Sequence, residues 1–463
     1  MSAAHRIGQT LTDMLSVPGA DWDRVQITET PTGLATRMPI ADMATAAQGL
    51  VGHCADAVWQ ARGGAVQQVT VDRWTASLSM TASAYLTVDG KKATSWDPLT
   101  GYHRTADGWV YTHCQFAHLR DGLLTEFGLP NDPETVKAAF AQLQAQEIED
   151  RAAAAGVCAI RRRSRSEWDA HPHAAELQSV QVLQLARHGD VPARPLGQGG
   201  SPLEGVRVLD LSRVIAGPMI GRTLAEHGAE VLRIAGPHLP SFDSLVINTG
   251  FGKRSAFVDL RTPHDVDTLR DLIRDADVLI DGYRPGALAA RGLSFSELRA
   301  LNPSIVYVTL SAFGETGPWG GRRGYDTYVQ AATGLSAEGA DGPTRLPCQP
   351  LDYLGGYLGA SAAMAALARR SAEGGAWRAE LSLARNAMWI WEWTDVLGAE
   401  KNAPQANPTP EEVNPIMTEM GSSFGHLHAM RPAVSLSETP PKWRSAPVPL
   451  GSHAAEWTTL DQF

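Results

Sequence analysis

The sequence predicts an α/β protein built on an open parallel sheet that is covered by helices. Three observations support this prediction. Short apolar segments alternate with helix-like segments after residue 205. A stretch rich in Pro and Gly, VPARPLGQGGSPLEG (191–205), separates that regular half from a less regular one. The 463 residues are 43% hydrophobic and 19% charged, which is an ordinary globular balance with enough apolar material for a large core.

The regular half begins with a buried strand at VRVLDL (206–211). A helix over 217–227 follows and stops at Gly228, and AEVLRI (229–234) predicts the next strand. Further strands are expected at SAFVDL (255–260), DVLIDGY (277–283) and IVYVTLSAFG (305–314), and further helices at 264–274 and 294–301. Strands that alternate with helices at this spacing predict a parallel sheet.

The half before the linker is less regular. Strands are predicted at 68–71 and 107–112, and a helix is predicted over 133–155, which is rich in Ala, Glu and Gln. A unit of helix, Gly-Gly and strand starts at Met43 and again at Tyr353. This indicates either a faint internal repeat or a chance similarity, because small-residue helices that end in glycines are common.

Composition excludes several classes of function. Lys plus Arg is 40 and Asp plus Glu is 50, so the net charge of −10 disfavours a general binder of nucleic acid or anionic membrane. The four cysteines form no CxxC pair and no His/Cys set has zinc-site spacing, so no metal is expected. The start of the sequence lacks the features of a secretion signal, and no apolar run approaches roughly 18 residues, so we expect a soluble, cytoplasmic protein without membrane contact.

Two loops of the regular half are candidates for an anionic ligand. The turn after the first strand, DLSRVIAGP, lacks the GxGxxG pattern of a dinucleotide site, so it is either a different ligand turn or a purely structural one. GKRS places Lys253 before a strand, and GYRPG places Tyr283 and Arg284 after one. These charges are either solvated or, at the carboxyl end of a strand, able to meet a phosphate and a base.

Asp352 is the candidate for covalent chemistry. It opens a Gly/Ala-rich helical stretch in LPCQPLDYLGGYLGA, where an aspartate either caps the helix or acts as a nucleophile beside backbone amides. His171 and His173 are typical of a turn and helix start. Trp389 and its neighbours favour core or subunit contact, with an acyl pocket as the alternative.

Five segments in series resemble the family III CoA-transferases, also called the CaiB/BaiF family. They keep the family's order and spacing across 205–387. The segments are VLDLSRVIAGPMIGRTLAEHGAEVLRI, GKRSAFVDL, ADVLIDGYRPGAL, GLSFSELRALNPSIVYVTLSAFGETGPW and RRGYDTYVQAATGL. The resemblance implies a Rossmann-like parallel sheet with a smaller α+β domain, and an interlocked homodimer.

The half before the linker resembles the second half of the same family. YHRTADGWVYT is similar to the opening of the family's small domain, EWDAHPH to its closing turn, and the late segment SLSETPPKWRSAPVPLGSH to the usual ending. The halves therefore stand in swapped order, as if permuted, and together imply one composite enzyme unit. The predicted divisions are 1–195 as the small-domain segment, 196–204 as linker, 205–400 as the CoA-binding and catalytic domain, and 401–463 as an extended tail.

The resemblance also implies an activity, transfer of CoA from an acyl-CoA donor to a small carboxylic acid. The family's catalytic aspartate aligns with Asp352, which would form an acyl anhydride and then an aspartyl-CoA thioester. CoA and acyl-CoA are substrates, and no permanently bound cofactor or metal is expected. The CoA contacts that carry over are Val214, Ile215, Ala216, Lys253, Tyr283, Arg284 and Ala287.

Three departures from the family pattern stand out. Gly236 occupies the position of an arginine that binds the 3′-phosphate, with Arg233 or His238 as substitutes. The stretch SWDPLTGYHR carries one glycine where some members have a glycine-rich shielding loop. The swapped order gives the small domain a different connection to the site.

Two other functions stay open. A 2-methylacyl-CoA racemase would pair an aspartate with a histidine, but Tyr325 stands where that histidine is expected, just before Asp326. A non-catalytic CoA-binding protein is the second alternative. The internal repeat also places Asp42 at the position equivalent to Asp352, and we interpret Asp42 as a vestige.

Overall fold

The computed structural model describes residues 2–19, 21–28, 30–92, 96–399, 404 and 406–458. Its helices, in chain order, are α1 Ala3–Leu15, α2 Ile40–Ala61, α3 Arg73–Ser79, α4 Ala117–Phe127, α5 Pro133–Phe140, α6 Ala145–Ala154, α7 Arg165–Asp169, α8 Pro172–Gln178, α9 Ala216–Glu226, α10 Asp243–Gly250, α11 Pro263–Asp275, α12 Phe295–Leu301, α13 Asp326–Ala332, α14 Pro350–Glu373, α15 Leu383–Leu397 and α16 Pro410–Val413. Its strands are β1 Val25–Thr28, β2 Val69–Asp72, β3 Thr87–Val88, β4 Lys91–Lys92, β5 Gly101–Arg104, β6 Trp109–Thr112, β7 Ala159–Arg161, β8 Gln184–His188, β9 Arg207–Leu211, β10 Glu230–Ala235, β11 Lys253–Phe257, β12 Val278–Asp281, β13 Val306–Ser311, β14 Ala337–Gly339, β15 Gly342–Thr344, β16 Ala376–Ser382, β17 Met417–Ser422, β18 Gly425–Met430 and β19 Val434–Leu436.

The largest sheet has seven strands in the order β11-β10-β9-β12-β13-β16-β8. The first six are parallel, and β8 pairs antiparallel with β16 at one edge. Counted along the chain from β9, the parallel strands stand in the order 3-2-1-4-5-6, so the direction of winding reverses between β9 and β12. In open α/β sheets, ligands bind at such a reversal, outside the carboxyl ends of the strands.

The predicted parallel sheet is therefore present, but its edge strand comes from an unexpected part of the chain. Residues 184–188 precede the linker and still complete this sheet as β8. The two halves of the chain thus share a sheet, because pairing with β8 covers the open edge of β16.

One predicted helix is divided in two. The segment 133–155 forms α5 and α6 with a turn between them. The Asp132 side chain accepts a hydrogen bond from the backbone of Thr135 and starts α5. The carboxylate of Asp107 accepts the backbone N–H of Ala145 at 2.8 Å and starts α6 from a neighbouring turn. Each carboxylate satisfies a backbone donor at a helix start, which composition alone did not indicate.

Helix α14 lies at the centre of the molecule and packs against both α2 and α9. The close contact with α9 requires glycine at position 356, where an added Cβ would lie 2.5 Å from Met219 Cβ and 3.1 Å from the Ala216 carbonyl oxygen. Helices α2 and α14 both end at paired glycines, and each carries an aspartate, Asp42 or Asp352, as its third residue. The predicted repeat thus corresponds to two helices that contact each other.

The remaining segments form smaller sheets around this centre. Strands β5, β6 and β7 form an antiparallel sheet that shares a small core with α4, α5 and α6. The C-terminal segment is more regular than the extended tail that the sequence predicts, since β17 and β18 join β3 and β4 in a four-stranded sheet and β19 pairs with β2. The predicted tail also includes residues 401–403, 405 and 459–463, which lie outside the described residues. Within the described ranges, no helix is long and apolar enough to cross a membrane.

Candidate active site

The turn that follows β9 is held from below by a buried ion pair. Lys253 Nζ lies 2.6 Å from Asp210 Oδ2 and donates to the Pro218 carbonyl oxygen at 2.6 Å. Ser212 donates to the other oxygen of Asp210. Lys253 is 2% exposed, and burial lowers the pKa of its ammonium group to about 8. The pair of Lys253 and Asp210 therefore connects the end of β9 with the start of α9.

This arrangement differs from the phosphate contact that the family resemblance implies for Lys253. Its side chain extends beneath the first turn of α9 and does not line the ligand cleft described below. The reason is electrostatic, because Asp210 is completely buried and its carboxylate needs a cation beside it.

Val214, in the same turn, has a φ of 72°, in the left-handed region. A β-branched residue rarely adopts this conformation, which costs on the order of 1–3 kcal/mol. The end of β12 packs directly against this turn, because a Cβ on Gly282 would lie 2.7 Å from Ser212 Cβ. Val214 lines both the cleft and the chamber described below, and also a small cavity of about 30 Å³.

The larger cavity is a cleft of about 700 Å³ at the carboxyl ends of β9 and β12. This is the place that the reversal of strand order predicts for a ligand. Seven of the eight residues expected from the sequence line it together: Val214, Ile215, Ala216, Tyr283, Arg284, Ala287 and Asp352.

The cleft concentrates positive charge in a chain whose net charge is −10. Among the described residues, six basic side chains and one carboxylate, that of Asp352, line it. The basic residues are His118, Arg213, His238, Arg284, Arg322 and Arg323. Only Arg284 and His238 were considered from the sequence. Arg322 and Arg323 are the first two residues of the segment RRGYDTYVQAATGL that resembles the family, and their position there could have indicated a role in the cleft.

Asp352 occupies the first turn of α14, and a second carboxylate positions that turn. Asp326 Oδ2 accepts the backbone N–H of Leu351 at 2.7 Å and that of Asp352 at 3.0 Å. Gln330 donates to the other Asp326 oxygen. Because the Gln349 side chain makes no capping bond, Asp326 supplies the cap from a different helix.

The two buried carboxyl groups influence each other's ionisation. Burial, with the negative charge of Asp326 as a second cause, raises the pKa of Asp352 well above its usual range. Burial raises the pKa of Asp326 to about 7. Asp326 is the better placed of the two to hold the negative charge, because it accepts three hydrogen bonds.

A second, smaller chamber of about 70 Å³ also reaches Asp352. Trp96, Phe116 and Phe242 contribute aromatic walls to it. His113 lines the same chamber and stacks on Tyr325, with ring centroids 4.0 Å apart. Burial lowers the pKa of His113 to about 3, so its imidazole is neutral at physiological pH. Sequence reasoning missed this chamber because its walls come from distant segments.

The position that the family gives to a phosphate-binding arginine, Gly236, has two basic residues near it in sequence, Arg233 and His238. His238 lines the main cleft and lies 3.5 Å from Asp259. Arg233 is 5% exposed, lines an adjacent cavity of about 30 Å³ with Gly236, and has one buried nitrogen without a hydrogen-bond partner among the described residues. Of the two substitutes, His238 is therefore the one that reaches the cleft.

Other candidate residues lie elsewhere. Asp42 pairs with Arg73 at 3.2 Å and lines neither the cleft nor the chamber. His171 caps the start of α8 through its ring nitrogen, as its sequence context indicated. Trp389 is buried in the main core. Within the described ranges, no cluster of His, Cys, Asp or Glu has the geometry of a metal site.

Residues 203–420 match the family model described as CoA-transferase family III. The family assignment holds for this region, which is slightly less than half of the chain. The match contains the five resembling segments, the turn after β9 and the start of α14, so the resemblance that these segments carry is confirmed.

Curated relatives align with part of the same region. Acetyl-coenzyme A transferase nodX of Hypoxylon pulicicidum is 35% identical over 44% of this chain and 35% of its own length. Succinate–glutarate CoA-transferase of Agrobacterium fabrum is 36% identical over 37% of this chain and 49% of its own length. The chain thus spans between a third and a half of these relatives. A crystal structure of a CaiB/BaiF family protein from Brucella suis overlaps 49% of this chain and 65% of that one, at 25% identity and a TM-score of 0.39.

The raised pKa of Asp352 predicts how Asp352→Asn changes stability with pH. Since the carboxyl group binds its proton more tightly in the folded protein, ionisation reduces stability as pH rises above about 4, the unfolded value. An asparagine avoids this loss. We expect Asp352→Asn to have a higher Tm than the unmodified protein at pH 8, and the difference to shrink toward pH 4 in thermal melts.

Asp42→Asn is the matched control, because Asp42 is also the third residue of its helix but pairs with Arg73. This variant loses an ion pair and should gain no stability at pH 8. Equal gains in both variants would contradict the assignment of the effect to burial of Asp352.

Proposed function

We propose that this chain is an acyl-CoA:carboxylic acid CoA-transferase in which Asp352 is the nucleophile. One observation carries the proposal: Asp352 lies where a cleft rich in arginine meets a small apolar chamber. An acyl-CoA thioester has a large anionic part and a small acyl part, joined at the atom that reacts. The names of the relatives, which include a succinate–glutarate CoA-transferase, favour the same activity.

The cleft is assigned to CoA. Arg284 is exposed at its edge and is placed to meet a phosphate, while Tyr283 and Ala287 in the same loop offer surfaces to the adenine. The turn residues Val214, Ile215 and Ala216 line the same cleft and suit the remainder of the nucleotide. His238 takes the role of the absent arginine at Gly236. Lys253 supports the turn through Asp210 instead of contacting phosphate.

The proposed reaction begins when an Asp352 oxygen attacks the thioester carbonyl carbon. The C–S bond breaks, CoA leaves as a thiolate, and Asp352 carries the acyl group as a mixed anhydride. The thiolate then attacks Cγ of Asp352, which releases the donor acid as a carboxylate and leaves an aspartyl-CoA thioester. Two covalent steps thereby replace one difficult transfer.

The acceptor acid completes the cycle by the reverse steps. Its carboxylate attacks Cγ of Asp352, which expels the CoA thiolate and forms a new anhydride. The thiolate attacks the acceptor's acyl carbon, which gives the new acyl-CoA and regenerates the Asp352 carboxylate. No net proton is transferred, and CoA takes part as a substrate, so the chemistry needs no resident cofactor.

The surroundings of Asp352 suit the charges in this cycle. The dipole of α14 favours negative charge at a carboxyl group in its first turn, while burial and the charge of Asp326, which already accepts the amides of Leu351 and Asp352, oppose it. A nucleophile that is incompletely stabilised as an anion is more reactive toward a carbonyl carbon. Arginines at the cleft offset the charge of the bound thioester.

A racemase-like isomerase remains the second candidate, and one observation favours it. His113 brings an imidazole to the chamber that Asp352 lines, although its sequence position is far from that of Tyr325. Its pKa of about 3 argues against it, because a racemase base must accept a proton at neutral pH. A non-catalytic CoA-binding protein is the third.

The test is mass spectrometry of the intact protein and its peptides after incubation with a panel of acyl-CoAs. We expect a CoA-sized adduct on the peptide that contains Asp352, and its loss in Asp352→Ala together with a fall in turnover of roughly 10³-fold or more. Asp42→Ala is the matched control and should retain both the adduct and turnover.

The other outcomes separate the alternatives. Exchange of the α-proton in deuterated water without any adduct would support the racemase. Thermal protection by CoA without adduct or exchange would support a binding protein. Full turnover in Asp352→Ala would contradict the assignment of the nucleophile.

Arg284 and Lys253 are assigned different roles, and their variants should therefore show different defects. Arg284→Ala should raise KM for acyl-CoA about tenfold, the value of one charge-assisted phosphate contact, with an unchanged Tm. Lys253→Met leaves the Asp210 carboxylate buried and unpaired, so it should lower the free energy of unfolding by about 3–5 kcal/mol. Steady-state kinetics and denaturant titration measure the two effects. A stable Lys253→Met enzyme with only a raised KM would contradict the structural role.

The swapped order of the halves and a cytoplasmic homodimer complete the proposal. The sharing of β8 with the large sheet supports a single composite unit. The half-buried Trp391 and Trp393 offer an apolar face to a second copy. Light scattering should give a mass near twice the 49.6 kDa of one chain, and a monomer mass would count against the dimer.

A further inference from the structure

The chamber beside Asp352 is small, and most of its surface is apolar. Its apolar walls come from Trp96, Phe116, Val214, Ile215, Phe242 and Leu245. At roughly 10–15 Å³ for each water-sized group, its volume of about 70 Å³ holds on the order of five such groups. A ligand group of this size corresponds to a short acyl chain.

The charge around the chamber is negative or absent. None of the described residues that line it is a lysine or arginine. Its lining includes two carboxyl groups, those of Asp326 and Asp352, which can only add negative charge. His113 is a neutral imidazole at physiological pH. The polar residues that complete the lining are uncharged.

Two arginines lie near the walls without lining the chamber. Arg345 is placed over the Trp96 ring, 4.3 Å from its centroid, and Arg213 is placed over the Phe116 ring at 5.4 Å. Arg213 lines the main cleft instead. Each guanidinium thus lies over an aromatic ring, and neither contributes to the surface that an acyl group would meet.

We infer that the acid bound in this chamber is a short monocarboxylic acid with an apolar chain, and that dicarboxylic acids are excluded. The inference rests on the proposed function, because the acid's own carboxyl group must meet Asp352. A second carboxylate in the chamber would lose its hydration without gaining a cation, and the ionisable carboxyl groups that line the chamber are acidic. This separates the chain from a relative that is named for succinate and glutarate.

The experiment compares pairs of acyl-CoAs with equal carbon number. Butyryl-CoA is matched with succinyl-CoA, and pentanoyl-CoA with glutaryl-CoA, using the full chain and the rate of CoA adduct formation on the Asp352 peptide. We expect each monocarboxylic member to react at least 100-fold faster than its dicarboxylic partner. Rates within tenfold of each other, or a faster dicarboxylic member, would overturn the inference.

Failure of this inference is distinguishable from failure of the proposed function. If no acyl-CoA in the panel forms an adduct, the transferase assignment fails. If dicarboxylic thioesters form it as readily as monocarboxylic ones, the transferase assignment stands and the exclusion of dicarboxylates fails.

A variant tests whether this chamber sets the selectivity. Leu245 lines the chamber, so Leu245→Ala enlarges the space for the acyl chain. Each additional methylene that an apolar pocket accommodates changes the rate by about 10-fold or more. We expect the ratio of hexanoyl-CoA to butyryl-CoA adduct rates to rise about tenfold. Leu239→Ala is the matched control, because Leu239 lines the main cleft but not the chamber, and the ratio should stay unchanged. A ratio unchanged in Leu245→Ala, or raised equally in both variants, would contradict the role of the chamber.

Discussion

The close packing of α14 against α9 is the constraint on which the rest of the site depends. Gly356 lets the two helices approach until its Cα faces Met219 and the Ala216 carbonyl oxygen. The turn before α9 and the first turn of α14 are thereby held side by side. Asp352 and Val214 come from segments far apart in sequence, yet they line the same two cavities. A side chain at position 356 would force these turns apart, since interiors are close-packed.

Carboxylates perform three different tasks around this contact. Asp210 holds Lys253 beneath the turn, Asp326 caps the backbone of α14, and Asp352 is left with its oxygens at the cavities. Asp326 accepts the backbone amides of Leu351 and Asp352, so these amides are not available to the carboxylate of Asp352 itself. The negative charge of Asp326 also raises the proton affinity of the buried Asp352 carboxyl group, which couples the structure of the turn to the charge of the proposed nucleophile.

The strained turn at Val214 connects the two cavities. Its left-handed backbone directs the chain between the arginine-lined cleft and the apolar chamber, and the surrounding contacts with β12 hold that conformation. Strain of this kind persists only where neighbouring structure over-determines it. The division of the site into a polar and an apolar part therefore depends on the same turn that the parallel sheet presents at its reversal of order.

The sequence by itself determined the alternating strands and helices, the parallel sheet, the repeat of helix and glycine pair, and the candidacy of Asp352 and the loop at Tyr283. These follow from local patterns, because apolar periodicity and glycine placement act over a few residues. Tertiary structure alone decided that β8, from before the linker, completes the sheet, that Lys253 is bound to Asp210, and that His113 and Phe116 line a chamber with Asp352. These contacts join segments separated by tens to hundreds of residues, and burial of charge and close packing, which select among them, exist only once the chain is folded.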